Sequence, residues 1–204
     1  MNYNPKYHHR HSIRLKGYDY SWPGWYYITI CTKDRKCLFG HVIDGKMILN
    51  KYGRITEKEW LKTKEIRKNV DLDYYIIMPN HIHGIIIIEK EMFNQNNAEA
   101  NYNLTKDNKS ILQTKTIYVN NDVGTTQRVA PTLQPNSLGA IIGQFKSVVT
   151  KRINKINNTP GNSIWQRNYY EHILRNETDL FYTRNYIKNN PLKWEIDELF
   201  RMDE

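Results

Sequence analysis

Two apolar runs separated by Pro79 and Asn80 constrain the fold of this chain more than any other feature. The first extends from Leu72 to Met78, and the second extends from Ile82 to Glu89 and contains four consecutive isoleucines. Short runs of this kind, rich in β-branched side chains and bounded by turn residues, are typical of strands. Both runs are largely continuous rather than alternating. We therefore predict two central strands in a sheet that is covered on both faces.

The other ordered segments alternate between strand and helix patterns. An aromatic and β-branched run at 25–32 predicts a strand, and 42–49 predicts a hairpin with Asp-Gly near its turn. Apolar spacing predicts an amphipathic helix over 50–68 and a longer helix that starts at Ser137 and is broken at 159–161. An extended segment at 164–174 follows, and then a helix that is capped by Asn176 or Thr178 and ends before Pro191. This order predicts an α+β fold with helices packed on an antiparallel sheet.

The composition changes sharply between Met92 and Asn136. This stretch is rich in Asn, Gln, Thr and Lys, and it has few large aliphatic residues and no sustained period. Compact domains rarely contain an unstructured connection longer than ~15 residues. We therefore interpret 92–136 as a flexible, Asn-rich insertion, linker or lid within a single domain that spans 1–204.

The charge of the chain favours a polyanionic partner. Thirty Lys and Arg against 21 Asp and Glu give a net charge of +9, and neutralising phosphates releases condensed counterions. Nucleic acid and an anionic membrane surface are the candidates. No stretch approaches the ~20 apolar residues of a membrane span, and the N-terminus does not resemble a signal peptide. We therefore expect a cytoplasmic protein that does not bind a membrane.

The strongest chemical signal is the motif Pro-Asn-His-Ile-His-Gly at 79–84. Side chains two residues apart on a strand share a face, so His81 and His83 should lie side by side while Ile82 enters the opposite layer. Such a pair can give a divalent ion two nitrogen ligands and leave its other positions open for water, phosphate and a third protein ligand. On the motif alone, a pair of surface histidines at a sheet edge is an equal alternative.

The last predicted helix offers two more candidates, Tyr186 and Asn190. They are four residues apart and therefore share one helix face. A tyrosine hydroxyl near a cation can act as a nucleophile, and an amide oxygen can complete the ion's shell. On spacing alone, an ordinary helix tyrosine and a C-terminal asparagine are the simpler interpretation.

These residues fall within blocks that resemble the REP-associated tyrosine transposases, a branch of the single-tyrosine transposases in the HUH endonuclease superfamily. The blocks are HSIRLKGYDY at 11–20, MPNHIHG at 78–84, GQFKS at 143–147, and IWQRNYYEH at 164–172 followed by YIKNNPLKW at 186–194. They span nearly the whole chain outside 92–136. The resemblance implies a ferredoxin-like HUH nuclease core, and the insertion is the main departure from the family pattern.

The resemblance also implies an activity, which is metal-dependent cleavage and rejoining of single-stranded DNA at sites near hairpins. His81, His83 and Asn190 would bind Mg²⁺ or Mn²⁺, and Tyr186 would attack the phosphorus to form a 5′-phosphotyrosine intermediate. The partner would be single-stranded or hairpin DNA, and the protein would work as a monomer or homodimer. Two alternatives are a non-catalytic hairpin-DNA-binding protein of the same fold and a metal phosphohydrolase that uses activated water.

Further basic and aromatic residues are candidate DNA contacts. A basic N-terminal arm at 1–23 contains Arg10, Arg14 and Lys16, which charge and resemblance together assign to DNA. Lys146, Lys151 and Arg167 are candidate phosphate contacts, and Trp165 could stack on unpaired bases. Core packing is an equal alternative for Trp165 and for Tyr169 and Tyr170. The last two are also rival nucleophiles, which we rank below Tyr186 because they lie in an extended run.

Overall fold

The computed structural model describes residues 18–90 and 134–200. These residues belong to one compact unit, and a second unit, 91–132, lies outside the described residues. Most of the predicted arm at 1–23 and of the predicted insertion at 92–136 also lies outside them, so both stay predictions.

Within the described residues, the elements follow the predicted order. Strand β1 (Gly24–Cys31) precedes a hairpin formed by β2 (Gly40–Ile43) and β3 (Lys46–Leu49). Helix α1 (Lys51–Ile66) leads to β4 (Val70–Ile77) and β5 (His81–Ile88). Helix α2 (Leu138–Asn157), strand β6 (Tyr170–Leu174) and helix α3 (Glu177–Asn189) complete the list. None of the described helices is both long enough and apolar enough to cross a membrane.

Four strands form one antiparallel sheet in the order β4-β5-β1-β6. Since α1 lies between β1 and β4 and α2 lies between β5 and β6, this is the β-α-β-β-α-β arrangement of ferredoxin-like folds. The prediction of an α+β fold with an antiparallel sheet is confirmed. The separate β2-β3 ribbon turns at Asp44 and Gly45, whose φ angles of 49° and 69° suit a tight two-residue hairpin turn.

Polar caps begin the three helices. Side-chain oxygens of Asn50, Ser137 and Asn176 each accept a hydrogen bond from a backbone N–H in the first helical turn. These bonds satisfy donors that have no partner within the helix. The predicted cap at Ser137 is confirmed, and of the two candidates for α3 the structure uses Asn176.

Helices α1 and α2 cover one face of the sheet. Alternate residues of β1 and β5, including Ile28, Ile30 and Ile82, form a buried core there with Trp60 of α1 and Phe145 of α2. Nearly all of β5 is buried. The prediction that this run of isoleucines is a central strand covered on both faces is therefore confirmed.

Helix α3 lies on the opposite face of the sheet. Its Leu180 and Ile187 pack against Ile85 and Leu174. Arg184 on the same helix donates from Nε to the Oδ2 atom of Asp73 on β4 at 2.8 Å. The odd-numbered residues at the start of β5, which include both histidines, are on this face.

Three segments differ from the sequence predictions. The run 72–78 was predicted to be a central strand covered on both faces, but β4 lies at the edge of the sheet, where it pairs with β5 alone, and it is partly exposed. The predicted extended segment 164–174 forms a strand only from Tyr170, and Trp165 makes an isolated bridge with Thr32. The chain also forms a 3-10 helix, Pro191–Ile196, directly after α3. Proline suits the first position of a helix because its φ is preset and its missing N–H would have no partner there.

Candidate active site

Strand β5 brings two histidine rings together on the α3 face of the sheet. His81 is fully buried and His83 is 2% exposed, and their ring centroids are 4.5 Å apart. Ile82 faces the core on the other side, so the predicted alternation is confirmed. The alternative of two surface histidines at a sheet edge is wrong, because β5 pairs with β4 on one side and β1 on the other.

Asn80 sets the orientation of the His81 ring. Its Nδ2 donates to the carbonyl oxygens of Arg35 at 3.1 Å and Leu199 at 2.7 Å, so its Oδ1 is left to accept from Nδ1 of His81 at 2.7 Å. The hydrogen of His81 is then on Nδ1. Nε2 is buried and has no hydrogen-bond partner within the described residues. An imidazole held through one nitrogen with the other nitrogen open is the usual arrangement of a metal ligand.

Two hydroxyl groups hold the ring of His83 in a similar way. Its Nδ1 lies 2.8 Å from Oη of Tyr27 and 2.9 Å from Oγ1 of Thr29. Both hydroxyl oxygens can accept from an Nδ1–H. Nε2 then faces Tyr186, whose Oη lies 3.5 Å away.

Burial keeps both imidazoles neutral. It lowers the pKa of His81, and it lowers the pKa of His83 well below its usual value, to which the unfavourable interaction with a positive charge on His81 also contributes. A neutral imidazole is the form that has a lone pair for a metal ion.

Asn190 and Asp197 lie next to the histidines, beyond the end of α3. Asn190 is 2% exposed, and its Nδ2 donates to Oδ2 of Asp197 at 3.0 Å. Its Oδ1 is buried and has no hydrogen-bond partner within the described residues. The potential ligand atoms of His81, His83 and Asp197 all lie within 4.8 Å of one another. Because these donors suit a divalent cation and two buried ligand atoms have no partner, the residues present fit such an ion.

Tyr186 of α3 is beside this cluster. Its ring centroid is 5.1 Å from that of His83, and the side chain is 46% exposed. Burial raises the pKa of its hydroxyl, and the carboxylates of Asp197 and Glu198 raise it further. The phenol is therefore protonated near pH 7, and its ionisation needs a positive charge or a base nearby.

A cavity of about 890 Å³ opens beside Tyr186. Its lining includes five tyrosines and several side-chain amides: Tyr27, Tyr169, Tyr170, Tyr182, Tyr186, Gln166, Asn168, Asn185, Asn189 and Asn190. The rival nucleophiles Tyr169 and Tyr170 are thus close to the same space. Aromatic faces and amides are the groups with which proteins commonly hold unpaired bases.

A second cavity, of about 780 Å³, lies between α2 and the loop 158–167, and we call it the basic groove. Its lining contains Lys146, Lys151, Lys155 and Arg167, and no Asp or Glu is among the described residues that line it. Gln166 lines both this groove and the cavity beside Tyr186. Such a concentration of positive charge attracts phosphate groups.

The predicted DNA contacts occupy different positions in this groove. Lys151 and Arg167 are exposed. The ammonium group of Lys146 instead donates to the carbonyl oxygens of residues 166–168 at 2.6 to 3.4 Å, and burial lowers its pKa. Trp165 is 5% exposed, and its Nε1 donates to the carbonyl oxygen of Lys146 at 3.1 Å. These hydrogen bonds of Lys146 and Trp165 therefore hold the loop 158–167 against α2.

The predicted contacts Arg10, Arg14 and Lys16 lie outside the described residues. Tyr18 and Trp22, at the end of the predicted arm, contact each other with ring centroids 5.6 Å apart. Tyr18 also packs against the core beneath α1 and α2. The end of the arm therefore lies on the folded unit.

The structure adds residues that the sequence did not indicate. Asn80, Tyr27 and Thr29 orient the histidines, and Asp197 adds a carboxylate. Asp197 follows a short 3-10 helix, which has no recognisable period in the sequence. Tyr27 and Thr29 could have been found, because they alternate on β1 as the two histidines do on β5.

Comparisons with known proteins give a relative that matches nearly all of this chain and solved structures of similar fold. No family model matches the chain. A Haemophilus influenzae protein described as uncharacterized is 39% identical over 198 residues, which is 97% of either chain. A solved structure of a REP-associated tyrosine transposase bound to a REP hairpin is similar with a TM-score of 0.53, at 14% identity, over 90% of this chain and 74% of that one. This likeness shows a transposase-like fold.

Proposed function

For this chain, which belongs to the same family as the uncharacterized Haemophilus influenzae protein, we propose metal-assisted cleavage and rejoining of single-stranded DNA near hairpins. The observation that carries the proposal is the convergence of His81, His83 and Asn190 beside the hydroxyl of Tyr186. The fold shared with a transposase whose structure contains a REP hairpin supports DNA as the substrate class.

The histidines and Asn190 would hold Mg²⁺ or Mn²⁺ through Nε2 of His81, Nε2 of His83 and Oδ1 of Asn190. When bound, the ion supplies a Lewis acid that neutralises charge on the scissile phosphate. Asn80 keeps the open nitrogen of His81 pointed at this position, and the hydroxyls of Tyr27 and Thr29 do the same for His83. These partners fix the ligands before DNA arrives, which lowers the reorganisation needed during the reaction.

Tyr186 would provide the nucleophile. Its Oη forms a bond to phosphorus as the bond between phosphorus and the 3′ oxygen breaks, and the phenolic proton is released. The products are a 5′-phosphotyrosine and a 3′ oxygen that takes up a proton. Because the phosphodiester bond is exchanged rather than hydrolysed, a second 3′ hydroxyl can reverse the step and join strands without ATP.

Each of the two cavities would bind a different part of the DNA. The tyrosine and amide lining next to Tyr186 suits unpaired bases around the scissile phosphate. The basic groove suits the flanking phosphates, with Lys151 and Arg167 exposed to them. Arg10, Arg14 and Lys16 of the N-terminal arm would add further contacts.

The proposal is tested by incubating the full chain with a labelled DNA hairpin that carries single-stranded flanks, in the presence of Mn²⁺. We expect a covalent protein–DNA adduct on a denaturing gel for the wild type and none for Tyr186→Phe. Tyr170→Phe is the matched control, because Tyr170 lines the same cavity and is exposed to a similar extent, 47%.

Other outcomes assign other functions. Hairpin binding without any adduct indicates a non-catalytic DNA-binding protein of the same fold. Cleaved DNA without an adduct that depends on Tyr186 indicates a metal phosphohydrolase that uses water. An adduct that disappears in Tyr170→Phe and persists in Tyr186→Phe reassigns the nucleophile.

A further inference from the structure

We propose that Asp197 is a carboxylate ligand of the divalent ion, so that the segment following α3 completes the metal site. The inference rests on the proposed function, because it assumes that His81, His83 and Asn190 hold such an ion. It adds a charged ligand to three neutral ones.

Hydrogen bonds fix Asp197 beside the histidines. Its backbone N–H donates to the carbonyl oxygen of Trp194 at 3.2 Å, and its Oδ1 accepts from the backbone N–H of Leu199 at 2.7 Å. Trp194 is buried, and its ring centroid lies 5.9 Å from that of His81. The carboxylate is therefore a fixed part of the site.

The segment around Asp197 is itself tied to the folded unit. Nδ2 of Asn80 donates to the carbonyl oxygen of Leu199 at 2.7 Å, and Nη1 of Arg35 donates to the carbonyl oxygen of Glu198 at 3.0 Å. Asn80 is the same residue that orients His81. One buried amide therefore connects the position of His81 to that of the segment that carries Asp197.

The atoms left without partners point to a ligand at this position. Nε2 of His81 and Oδ1 of Asn190 belong to neighbouring side chains that are 0% and 2% exposed. With the hydrogen of His81 on Nδ1, both atoms are acceptors and cannot bond to each other, and neither has another hydrogen-bond partner among the described residues. The ligand atoms of His81, His83 and Asp197 lie within 4.8 Å of one another. An ion between them would satisfy the orphaned atoms, whose burial is otherwise costly.

Charge explains why the carboxylate matters. His81, His83 and Asn190 are neutral donors, whereas Mg²⁺ and Mn²⁺ prefer negatively charged oxygen ligands. Among the described residues that line this cavity, Lys193 is the single cation against the two acids Asp197 and Glu198. Without the ion, the site would therefore repel a phosphate. With the ion, Asp197 adds to the affinity for metal and the phosphate is attracted.

Asp197 could instead act only by orienting Asn190, since its Oδ2 accepts from Nδ2 of that residue at 3.0 Å. Asp197→Asn separates the two roles. The amide has the same shape and one acceptor oxygen, which can still accept from Nδ2 of Asn190, but the negative charge is lost, and so is the second acceptor, which the backbone N–H of Leu199 uses. A positioning role that needs only the bond from Asn190 would survive this change, and direct ligation would be strongly weakened.

The experiment measures binding of Mn²⁺ alone to the full chain, by the loss of the free-Mn²⁺ electron paramagnetic resonance signal. We expect Asp197→Asn to weaken binding at least about tenfold and to the same extent as His83→Ala, and Asp197→Ala to weaken it at least as much. Glu198→Gln is the matched control, because it removes one negative charge from the exposed neighbouring residue, and we expect a change of less than about twofold. His83→Ala is the reference for loss of a ligand.

Each outcome has a separate meaning. Wild-type affinity in Asp197→Asn overturns the inference and leaves the metal of the proposed function in place. Equal losses in Asp197→Asn and Glu198→Gln also overturn it, because they indicate a general effect of charge. If the wild type fails to bind Mn²⁺, or if His83→Ala binds as well as the wild type, the metal site of the proposed function fails as well. A thermal unfolding scan without metal checks that each variant is folded.

Discussion

Gly84 allows β5 to present the histidine pair on one face of the sheet and to pack closely against α1 on the other. It follows the histidine pair and faces the other side, where Trp60 of α1 is fully buried. A Cβ atom at position 84 would lie 2.5 Å from Cζ2 and 3.0 Å from Cη2 of Trp60. The absence of a side chain at this position therefore allows the large indole to cover the strand directly behind the histidines.

Replacing Gly84 with alanine should destabilise the protein. The Cβ must push the buried indole away, and overpacking of this kind typically costs about 1–3 kcal/mol. Urea denaturation followed by tryptophan fluorescence measures the free energy of unfolding.

Gly143→Ala is the control for this substitution. Gly143 is in α2, and an added Cβ would have no atom within 4 Å. Alanine favours a helix over glycine by up to about 1 kcal/mol, so we expect unchanged or increased stability. Equal losses in the two variants would show that contact with Trp60 is not the reason for Gly84.

The sequence identifies individual site residues that follow a local period, and it misses those that do not. His81 and His83 could be paired because strand geometry alone puts alternate side chains on one face. Asp197 could not be assigned, because its approach to His81 depends on the 3-10 helix and on tertiary bonds to Asn80 and Arg35. Trp165 was ambiguous because its segment is neither helix nor regular strand, and bonding to Lys146 fixes its ring.

Among the elements, α3 depends most on a few specific contacts. Only Leu180 and Ile187 of this helix are fully buried. Arg184 adds an ion pair with Asp73 at 2.8 Å, and its guanidinium lies 5.6 Å from the ring centroid of Trp25 and 5.5 Å from that of Tyr74. Because Arg184 precedes Tyr186 by two residues, these contacts help to set where the Tyr186 hydroxyl lies.

Arg184→Ala should therefore affect the reaction more than it affects DNA binding. We expect a loss of roughly 1 kcal/mol of unfolding free energy, because the pair is partly exposed and the ring contacts are modest. Adduct formation should slow severalfold while hairpin affinity changes by less than about twofold, since misplacing a nucleophile acts on the chemical step.

Single-turnover rates and filter binding on the same hairpin measure the two effects of Arg184→Ala. Arg175→Ala is the matched control, because Arg175 is exposed and lies just before the same helix. A fall in affinity equal to the fall in rate would mean that Arg184 contacts DNA rather than positioning α3.

The elements themselves were largely predictable, and the reason is local. Caps at Ser137 and Asn176 and the Asp44-Gly45 turn are set by short-range hydrogen bonds and backbone preferences. The predicted extended segment at 164–174 was partly wrong, because 164–169 does not join the sheet. Long-range bonds from Lys146 hold its backbone instead, and no local pattern encodes them.

For the whole molecule, the sequence predicted the fold class but not the order of the strands. β1 lies between β5 and β6, which are distant in the sequence. This strand order matters for the candidate site, because it brings Tyr27 and Thr29 of β1 within hydrogen-bond distance of His83. The geometry of the candidate site thus depends on a strand pairing that residue patterns alone do not specify.

Charge is also unevenly distributed over the described surface of this chain, whose full sequence has a net charge of +9. The basic groove is lined by four cations and no described acid, whereas the cavity beside Tyr186 is lined by Lys193 against Asp197 and Glu198. DNA affinity should therefore come chiefly from the groove, and the acidic cavity should accept a phosphate only when a cation is bound. Gln166 lies at the boundary between the two.

The basic groove makes a quantitative prediction about salt dependence. Replacing both Lys151 and Arg167 with glutamine removes two exposed cations from it. If each neutralises one DNA phosphate, the double variant should bind the hairpin more weakly, and the slope of log affinity against log salt should fall in magnitude by roughly two. The measurement is a hairpin titration at several salt concentrations, in a Tyr186→Phe background so that cleavage does not interfere. Lys58→Gln with Lys68→Gln, two exposed lysines at and after α1, is the charge-matched control and should leave the slope unchanged. Equal changes of slope in the two double variants would show that net charge, rather than the groove, attracts the DNA.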